Sequence, residues 1–473
     1  MGHLENIQHF VVLMLENRSF DSLLGTLYPK SATFEGLDMN TTNPDPTGTP
    51  VQVWNLPGGT DENVMRIPDP DPGELWTDIN TQLFGSPKAP IPGSVPGMNG
   101  FVKNYLTQKG APVAKNIMHY FNTKQVPVIS ALAKQFAVCD HWFASAPCQT
   151  WPNRWFVHTA TADGHENNEP IHLLDVDTIY NRCELAGTVD WKIYFHDFAQ
   201  SMTLLKLWPL TDHFHLYSRF QADCQTASLP SYSFIEPRYY DEFGNQENDM
   251  HPPSVVTLGE QLIADVYNCI RASKLWPKTM LIITFDEHGG CYDHVPPPPA
   301  AVPEAPRADQ VFNFDRYGVR VPAVIVSPYV QKGTILRPTG AVPYDHTSII
   351  ATLRKRFPAL GAPLTGRDAA APDLESALAL TSPTNTGPAR IRALPYAPTP
   401  TTAAVAQTKP LNGMQTALVK LAANLPEGPG KDLQAHVASV KAGLKDPPPG
   451  ATADVHAAST YVKKQVGNFF QTT

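Results

Sequence analysis

Three short apolar runs limit what this chain can fold into. Ile7 to Leu15 (IQHFVVLML), Thr279 to Phe285 (TMLIITF) and Val319 to Ser327 (VRVPAVIVS) are rich in Val, Ile and Leu, and each gives way to polar residues. Short runs without polar–apolar alternation fit strands buried on both faces, which occur in parallel sheets sandwiched between helices. Ahead of the second run, Ser254 to Lys274 sets Val255, Leu258, Leu262, Val266 and Ile270 at three- and four-residue intervals behind His-Pro-Pro. That spacing predicts a crossover helix feeding TMLIITF. The fold class that follows is α/β, a central and mostly parallel sheet flanked by helices. In such sheets chemistry collects at the carboxyl ends of the strands.

Composition narrows the setting. Of 473 residues, 42% are hydrophobic and 17% charged, which is globular usage. Proline is the exception: its 47 residues are about twice the average share, so many connections must be stiff and non-helical. Asn40 to Gly100, dense in Pro, Gly, Asp and Asn, reads as a long irregular insertion that shapes a binding face. No stretch reaches the ~18 to 20 apolar residues of a membrane span, and the MGHLENIQH start lacks the features of a secretory signal. The chain therefore reads as cytoplasmic, or as exported after loss of a leader. A net charge of −8 without a basic block argues against nucleic acid as a partner, and six cysteines without a CxxC pair argue against a structural zinc site. Residues 1–385 read as the catalytic domain, 386–413 as a Pro/Thr/Ala-rich connector and 414–473 as a helical region. Its helices are expected at Met414 to Leu425, Asp432 to Leu444 and Ala453 to Phe470, packed on the protein rather than on a membrane.

Chemistry concentrates where the runs end. Glu16 and Asn17 follow the first (LMLENRSFD), and Asp286 and Glu287 follow the second (LIITFDEHGG). Carboxylates gathered from two strand ends stay jointly ionised only beside a cation, and these oxygens suit one hard divalent ion. Ca2+ is favoured over Mg2+ and Mn2+, while zinc would usually bring histidine or cysteine ligands. The bland alternative, for either pair alone, is a helix cap or a strand end in solvent. A third element, CQTWPNR, places Thr150 just ahead of Asn153 and Arg154. A hydroxyl against a metal ion can act as a nucleophile, Arg154 can bind a phosphate oxygen, and Asn153 can donate another hydrogen bond. Taken alone, this segment is equally a helix start capped by Thr150. Neither G-x-S-x-G, H-E-x-x-H nor a Walker A loop occurs.

In chain order, ENRSFDSLLG, TWPNR, PSYSFIEP, NDMHPPSVVTLGE, TFDEHGGCYDHVPPP, FDRYGVRVPAVIVSPYV and YDHTSI resemble the bacterial phosphoesterase family of non-specific phospholipases C and acid phosphatases. Individually, only ENRSFD and DEHGG followed by YDHV are distinctive. The resemblance implies a fold similar to the alkaline phosphatase and sulfatase superfamily. It implies one metal held by Glu16, Asn17, Asp286 and Glu287, with Thr150 as a nucleophile that also touches the metal. The sulfatases resemble the Thr150 segment too, in support of Arg154. His251 corresponds to family histidines near the phosphate; His288, the Asp293-His294 pair and His346 are also motif residues. Such a histidine could protonate a departing alkoxide. His119, His158, His165, His196, His213 and His215 are taken as packing or surface residues. One departure stands out: Glu74, in Pro70-Asp71-Pro72-Gly73-Glu74, occupies the place of a histidine that many relatives carry. Either Glu74 replaces it or the leaving group is handled differently.

The implied function is metal-dependent, phospholipase C-like hydrolysis of phosphoglycerides to diacylglycerol and a phosphoryl headgroup through a phosphothreonine. Threonine as nucleophile resembles that branch, whereas the acid phosphatases more often show serine. A broad-specificity phosphomonoesterase is the alternative, and a non-catalytic lipid-binding protein on the same fold is a third reading. The expected partner is a phospholipid or small phosphoester, met with transient membrane-surface contact. The sequence does not speak to oligomeric state.

Overall fold

The computed structural model describes residues 3–91, 93–108, 113–241, 246–307, 310–396, 404, 408–428 and 432–470. Ten strands form among them: β1 (His9–Leu15), β2 (Thr42–Pro44), β3 (Pro50–Gln52), β4 (Ala137–Cys139), β5 (Trp191–Phe195), β6 (Phe214–Leu216), β7 (Tyr232–Glu236), β8 (Thr279–Phe285), β9 (Ala323–Val326) and β10 (Thr334–Leu336). Eight of these make one sheet in the order β10-β4-β9-β8-β1-β7-β5-β6, and β2 and β3 form a separate antiparallel ribbon. β1 runs parallel to both neighbours, with Leu13 between Ile235 of β7 and Ile283 of β8. Every residue from Phe10 to Leu15 and throughout β8 is buried, as two-sided coverage requires. Each such aliphatic side chain contributes roughly 1.5–3 kcal/mol of burial.

The third apolar run departs from expectation. Only Ala323–Val326 is strand, and it runs antiparallel to both β8 and β4. A strand buried on both faces carries no sequence mark of its direction. The consequence is that the entry to β9, at Arg320, lies on the side where the parallel strands end.

The crossover helix forms over Val256–Ala272, starting after Pro252 and Pro253, and packs against helices Pro127–Gln135 and Tyr217–Thr226. The insertion is more ordered than its composition suggests. Besides the β2–β3 ribbon it holds helices Glu62–Met65 and Trp76–Phe84, and a small core of its own around Leu37, Val53, Ile79, Leu83 and Phe101. Ile79 and Leu83, one turn apart, were the signal hidden among the prolines.

The C-terminal helices span Gly413–Ala422, Leu433–Ala442 and Val455–Phe470. Val455, Ala458, Val462, Val466 and Phe469 form the buried face of the last one and join the same hydrophobic cluster as the sheet. Phe470 lies 5.2 Å from Phe214 and 5.3 Å from Phe195, ring centre to ring centre. The first part of the connector has no regular structure, yet the crossover helix straps it down: Tyr267 donates to the Pro388 carbonyl and Asn268 to that of Ile391. Residues 397–403 and 405–407 of the connector lie outside the described residues. No described helix is long and apolar enough to cross a membrane.

Candidate active site

Register brings the first two acidic pairs together. Leu15 lies opposite Phe285 in the β1–β8 ladder, so the residues after both strands emerge side by side. The Asp286 N–H bonds the Leu15 carbonyl, and the Asn17 N–H donates to Asp286 Oδ1 at 2.9 Å. Asn17 adopts φ 55°, a left-handed conformation that Asn tolerates better than most residues. The glycines of DEHGG permit the close approach that follows. Gly289 has φ 58°, and a Cβ there would fall 2.5 Å from the Asn17 backbone oxygen.

Thr150 opens the helix Thr150–Thr159 and is fully buried. The cap position belongs to Gln149, and the Thr150 hydroxyl instead donates to Glu16 Oε2 at 3.3 Å, which sets aside the capping alternative. Arg154, one helical turn on and so on the same face, donates from Nε to Glu16 Oε1 at 2.9 Å and from Nη2 to the Met14 carbonyl. The Arg154 Nη1 group is buried without a hydrogen-bond partner. Asn153 spends its amide on the preceding loop, accepting from Ala146 N–H and donating to the Ala146, Cys148 and Gln149 carbonyls.

Three oxygens here lack a hydrogen-bond partner although fully buried: Asn17 Oδ1, Asp286 Oδ2 and Glu287 Oε1. Leaving even one such group unmet costs about 1–3 kcal/mol. Burial pushes the Glu16 carboxyl well above the ordinary carboxylate range; Arg154 opposes the rise and Asp286 adds to it. Burial likewise drives Glu287 well up, helped by Glu74 and Asp286. Three buried carboxylates, two of them with an orphaned oxygen, and an orphaned amide oxygen beside them could hold a divalent cation, and its charge would let them ionise together.

A second group adjoins the first. Glu74 Oε2 accepts from Asn17 Nδ2 at 2.7 Å, and its Oε1 lies 3.5 Å from His251 Nε2. Asp71, Glu74 and His251 bring one ligand-type atom each within 4.8 Å of one another. Burial alone would lower the His251 pKa; Asp71, Glu74 and Asp249 reverse that and hold it well above the usual histidine range. The ion pair works both ways: burial would raise Glu74, but His251 brings it down to about 2.

His288 and His346 stand behind the acidic residues. His288 Nδ1 lies 3.1 Å from Glu287 Oε2 while Nε2 bonds Gln82, and His346 Nε2 donates to the Asp286 carbonyl at 2.6 Å. Burial lowers His288 to about 3 and His346 to about 4, so both are neutral. Asp293 and His294 fall elsewhere, in a network with Asp21, Arg320 and Glu35: Arg320 bonds Asp293 and Asp21, and His294 Nδ1 lies 2.7 Å from Asp21. His158 and His213 pack as expected, on Tyr180 and Trp191 respectively. Sequence reasoning missed Asp71 and Asp249, which sit inside quoted motifs, and Gln200, whose Nε2 reaches Glu16 Oε1 at 2.8 Å from a segment with no motif.

Buried oxygens left without partners, a hydroxyl at a helix start and a guanidinium with a spare N–H suit phosphoryl chemistry. The Phosphoesterase family model matches residues 7–359. Non-specific phospholipase C6 of Arabidopsis thaliana is 38% identical over 393 residues, covering 80% of this chain and 73% of its own. Non-specific phospholipase C3 of the same plant is 35% identical over 447 residues, with 90% and 84% covered. Among solved structures, a protein in the alkaline phosphatase superfamily from Vibrio parahaemolyticus aligns over 77% of this chain and 70% of its own, at 12% identity and a TM-score of 0.30. The chain belongs to the Phosphoesterase family and is a phosphoric ester hydrolase.

Proposed function

We propose that this hydrolase is a phospholipase C, cleaving the glycerol–phosphate ester of phosphoglycerides to diacylglycerol and a phosphoryl headgroup by way of a phosphothreonine at Thr150. The observation that carries the reading is the Thr150 hydroxyl, buried against Glu16 at a helix start and one turn from the spare Nη1 of Arg154. The phospholipase C relatives supply the substrate class.

Glu16, Asn17, Asp286, Glu287 and Thr150 would hold one divalent cation, with Ca2+ favoured by the all-oxygen set. When bound, such an ion supplies positive charge that lowers the pKa of a hydroxyl and offsets charge on phosphoryl oxygens. The chain's own residues do the rest. Arg154 Nη1 donates to a non-bridging oxygen. The Thr150 hydroxyl passes its proton to Glu16 Oε2, to which it donates, as Oγ1 bonds to phosphorus and the bond to the diacylglycerol oxygen breaks. His251, kept charged by Asp71 and Glu74, gives its Nε2 proton to that oxygen. Neutral His251 then takes a proton from a water attacking the phosphothreonine, and Thr150 leaves with the proton returned from Glu16. Asn153 fixes the loop ahead of Thr150, and His346 and His288 hold Asp286 and Glu287 in place. In this reading residues 1–385 carry catalysis, and 386–413 connect them to the helices of 414–473.

The test sets phosphatidylcholine vesicles beside 4-nitrophenyl phosphate, with the cation-loaded protein and with Thr150→Ala. Diacylglycerol release is expected from wild type, reduced by at least about two orders of magnitude in the variant. Hydrolysis of the aryl phosphate without diacylglycerol would make the protein a phosphomonoesterase instead. Near wild-type turnover by Thr150→Ala would remove Thr150 as nucleophile.

A further inference from the structure

One cavity lies apart from the acidic cluster. It encloses about 650 Å³ between the insertion, the Pro296 to Pro299 run and residues 311–316. Its wall is apolar and aromatic: the rings of Trp76 and Phe312 lie 4.5 Å apart, tilted by 33°, and both are buried. Its rim is unusual for a protein surface. Ile91, Val95 and Val311 are 79%, 80% and 65% exposed, and they are three of the four most exposed large aliphatic residues described. Scattered apolar residues are ordinary, but a cluster around a cavity marks a binding surface.

The groove adjoins the catalytic residues through the chain. Trp76 follows Glu74 by two positions, and its N–H is held by Asn167 Oδ1. Asn168, the next residue, accepts from the N–H of Trp151, beside Thr150. The opposite wall, Pro296 to Pro299, follows directly on the DEHGG and YDHV segment. Backbone bonds from Ala300 to Asp315 and from Tyr317 to Pro298 tie it to the Arg316 segment. Prolines fix their own φ, so this wall keeps its shape at little entropic cost on binding.

One polar group interrupts the apolar lining. Arg316 lies over the rings of Trp76, Phe84 and Phe312, and its Nε and Nη2 are buried without hydrogen-bond partners. An apolar groove with a donor inside it suits a molecule that is mostly hydrocarbon with acceptor oxygens along it. We propose that this groove receives the glyceride end of a membrane phospholipid. Its acyl chains lie along Trp76 and Phe312, its ester carbonyls accept from Arg316, and Ile91, Val95 and Val311 enter the bilayer surface. The inference rests on the phospholipase C reading and adds to it where the substrate's apolar half lies.

The test compares wild type with the triple variant Ile91→Ser/Val95→Ser/Val311→Ser and, separately, with Arg316→Met. Two rates are measured with the cation-loaded protein, on phosphatidylcholine vesicles and on soluble 4-nitrophenyl phosphorylcholine, alongside vesicle co-sedimentation. The ratio of vesicle to soluble rate is expected to fall at least about tenfold in the triple variant, with a matching loss of co-sedimentation. Arg316→Met, which keeps the apolar contacts, is expected to lower the ratio while leaving co-sedimentation in place. An unchanged ratio in the triple variant overturns the proposal whatever the absolute rates. A change of oligomeric state in that variant also overturns it, because the rim would then join copies of the chain. If wild type hydrolyses neither ester, the phospholipase reading falls, and co-sedimentation alone decides the groove: loss in the triple variant supports it and retention overturns it.

Discussion

His251 shows how strongly neighbours can outweigh burial. A histidine 2% exposed should be neutral, yet Glu74, held low as its ion-pair partner, and the acidic Asp71 and Asp249 nearby raise its pKa. Its protonated form is the one able to donate to a leaving group, and its pKa lies above the usual range. The rate is therefore expected to hold through neutral pH and to fall as pH rises past that pKa. His251→Asn should lower the maximal rate by about two to four orders of magnitude and flatten the alkaline limb, as a pH–rate profile would show. An alkaline limb that survives the substitution would assign it to another group. Glu74 takes part in the same arrangement without resembling a histidine chemically. It accepts from Asn17 and pairs with His251, so an acidic residue in that place couples the donor to the oxygen cluster.

The elements that could be read in advance are those whose burial is two-sided and long. β1 and β8 are seven-residue, largely apolar runs, and β8 matches its predicted bounds. The strands β4 and β10 are three residues each, too short for any period to register, and they escaped notice. The reversal of β9 escaped for a different reason: an apolar run has no arrow. Asp293 and His294 sit in a motif that reads as catalytic, while Arg320, at the entry to that reversed strand, draws Asp293 into an ion-pair network. Sequence adjacency to DEHGG could not show that pull from 27 positions away. Nor could it show Gln200 reaching Glu16, because a contact across the fold leaves no local trace.

The short strands at the β10 end of the sheet have their own lock. Asp140, just past β4, accepts two bonds from Arg337, just past β10, at 2.6 and 2.9 Å. Burial would raise its pKa, but Arg337 and His141 hold it below the ordinary range. A depressed carboxyl contributes stability above its unfolded pKa, and that contribution is lost as pH falls through the folded one. Arg337→Met is expected to cost about 1–3 kcal/mol at neutral pH, discounted because the arginine is a third exposed. In thermal melts the gap from wild type should close as pH falls below the carboxylate range; a gap that persists there would assign the effect to packing.

At the scale of the molecule, the acidic cluster sets stability as well as chemistry. Buried carboxylates that repel one another are a strain on the native state, and a cation bound there relieves it only in the folded form. Loading to a hundredfold excess over the dissociation constant should add about 2.7 kcal/mol. Differential scanning calorimetry with and without chelator reads this directly as a higher Tm for the loaded protein. Asp286→Asn should shrink the shift, and an equal shift in that variant would place the ion elsewhere.

The last helix carries one more consequence. The sheet ends at β6, an edge strand. Phe469 and Phe470 lie against Trp208, Phe195 and Phe214 around that edge. On a translating ribosome the strands are finished long before this covering segment is made. The nascent sheet must therefore wait with one sticky margin bare, and every pause in synthesis between Leu216 and Val455 lengthens the interval in which neighbouring chains can pair with it. Chains stopped before Val455 should accumulate as aggregates rather than as shortened soluble protein, a difference that fractionation of freshly translated material would reveal.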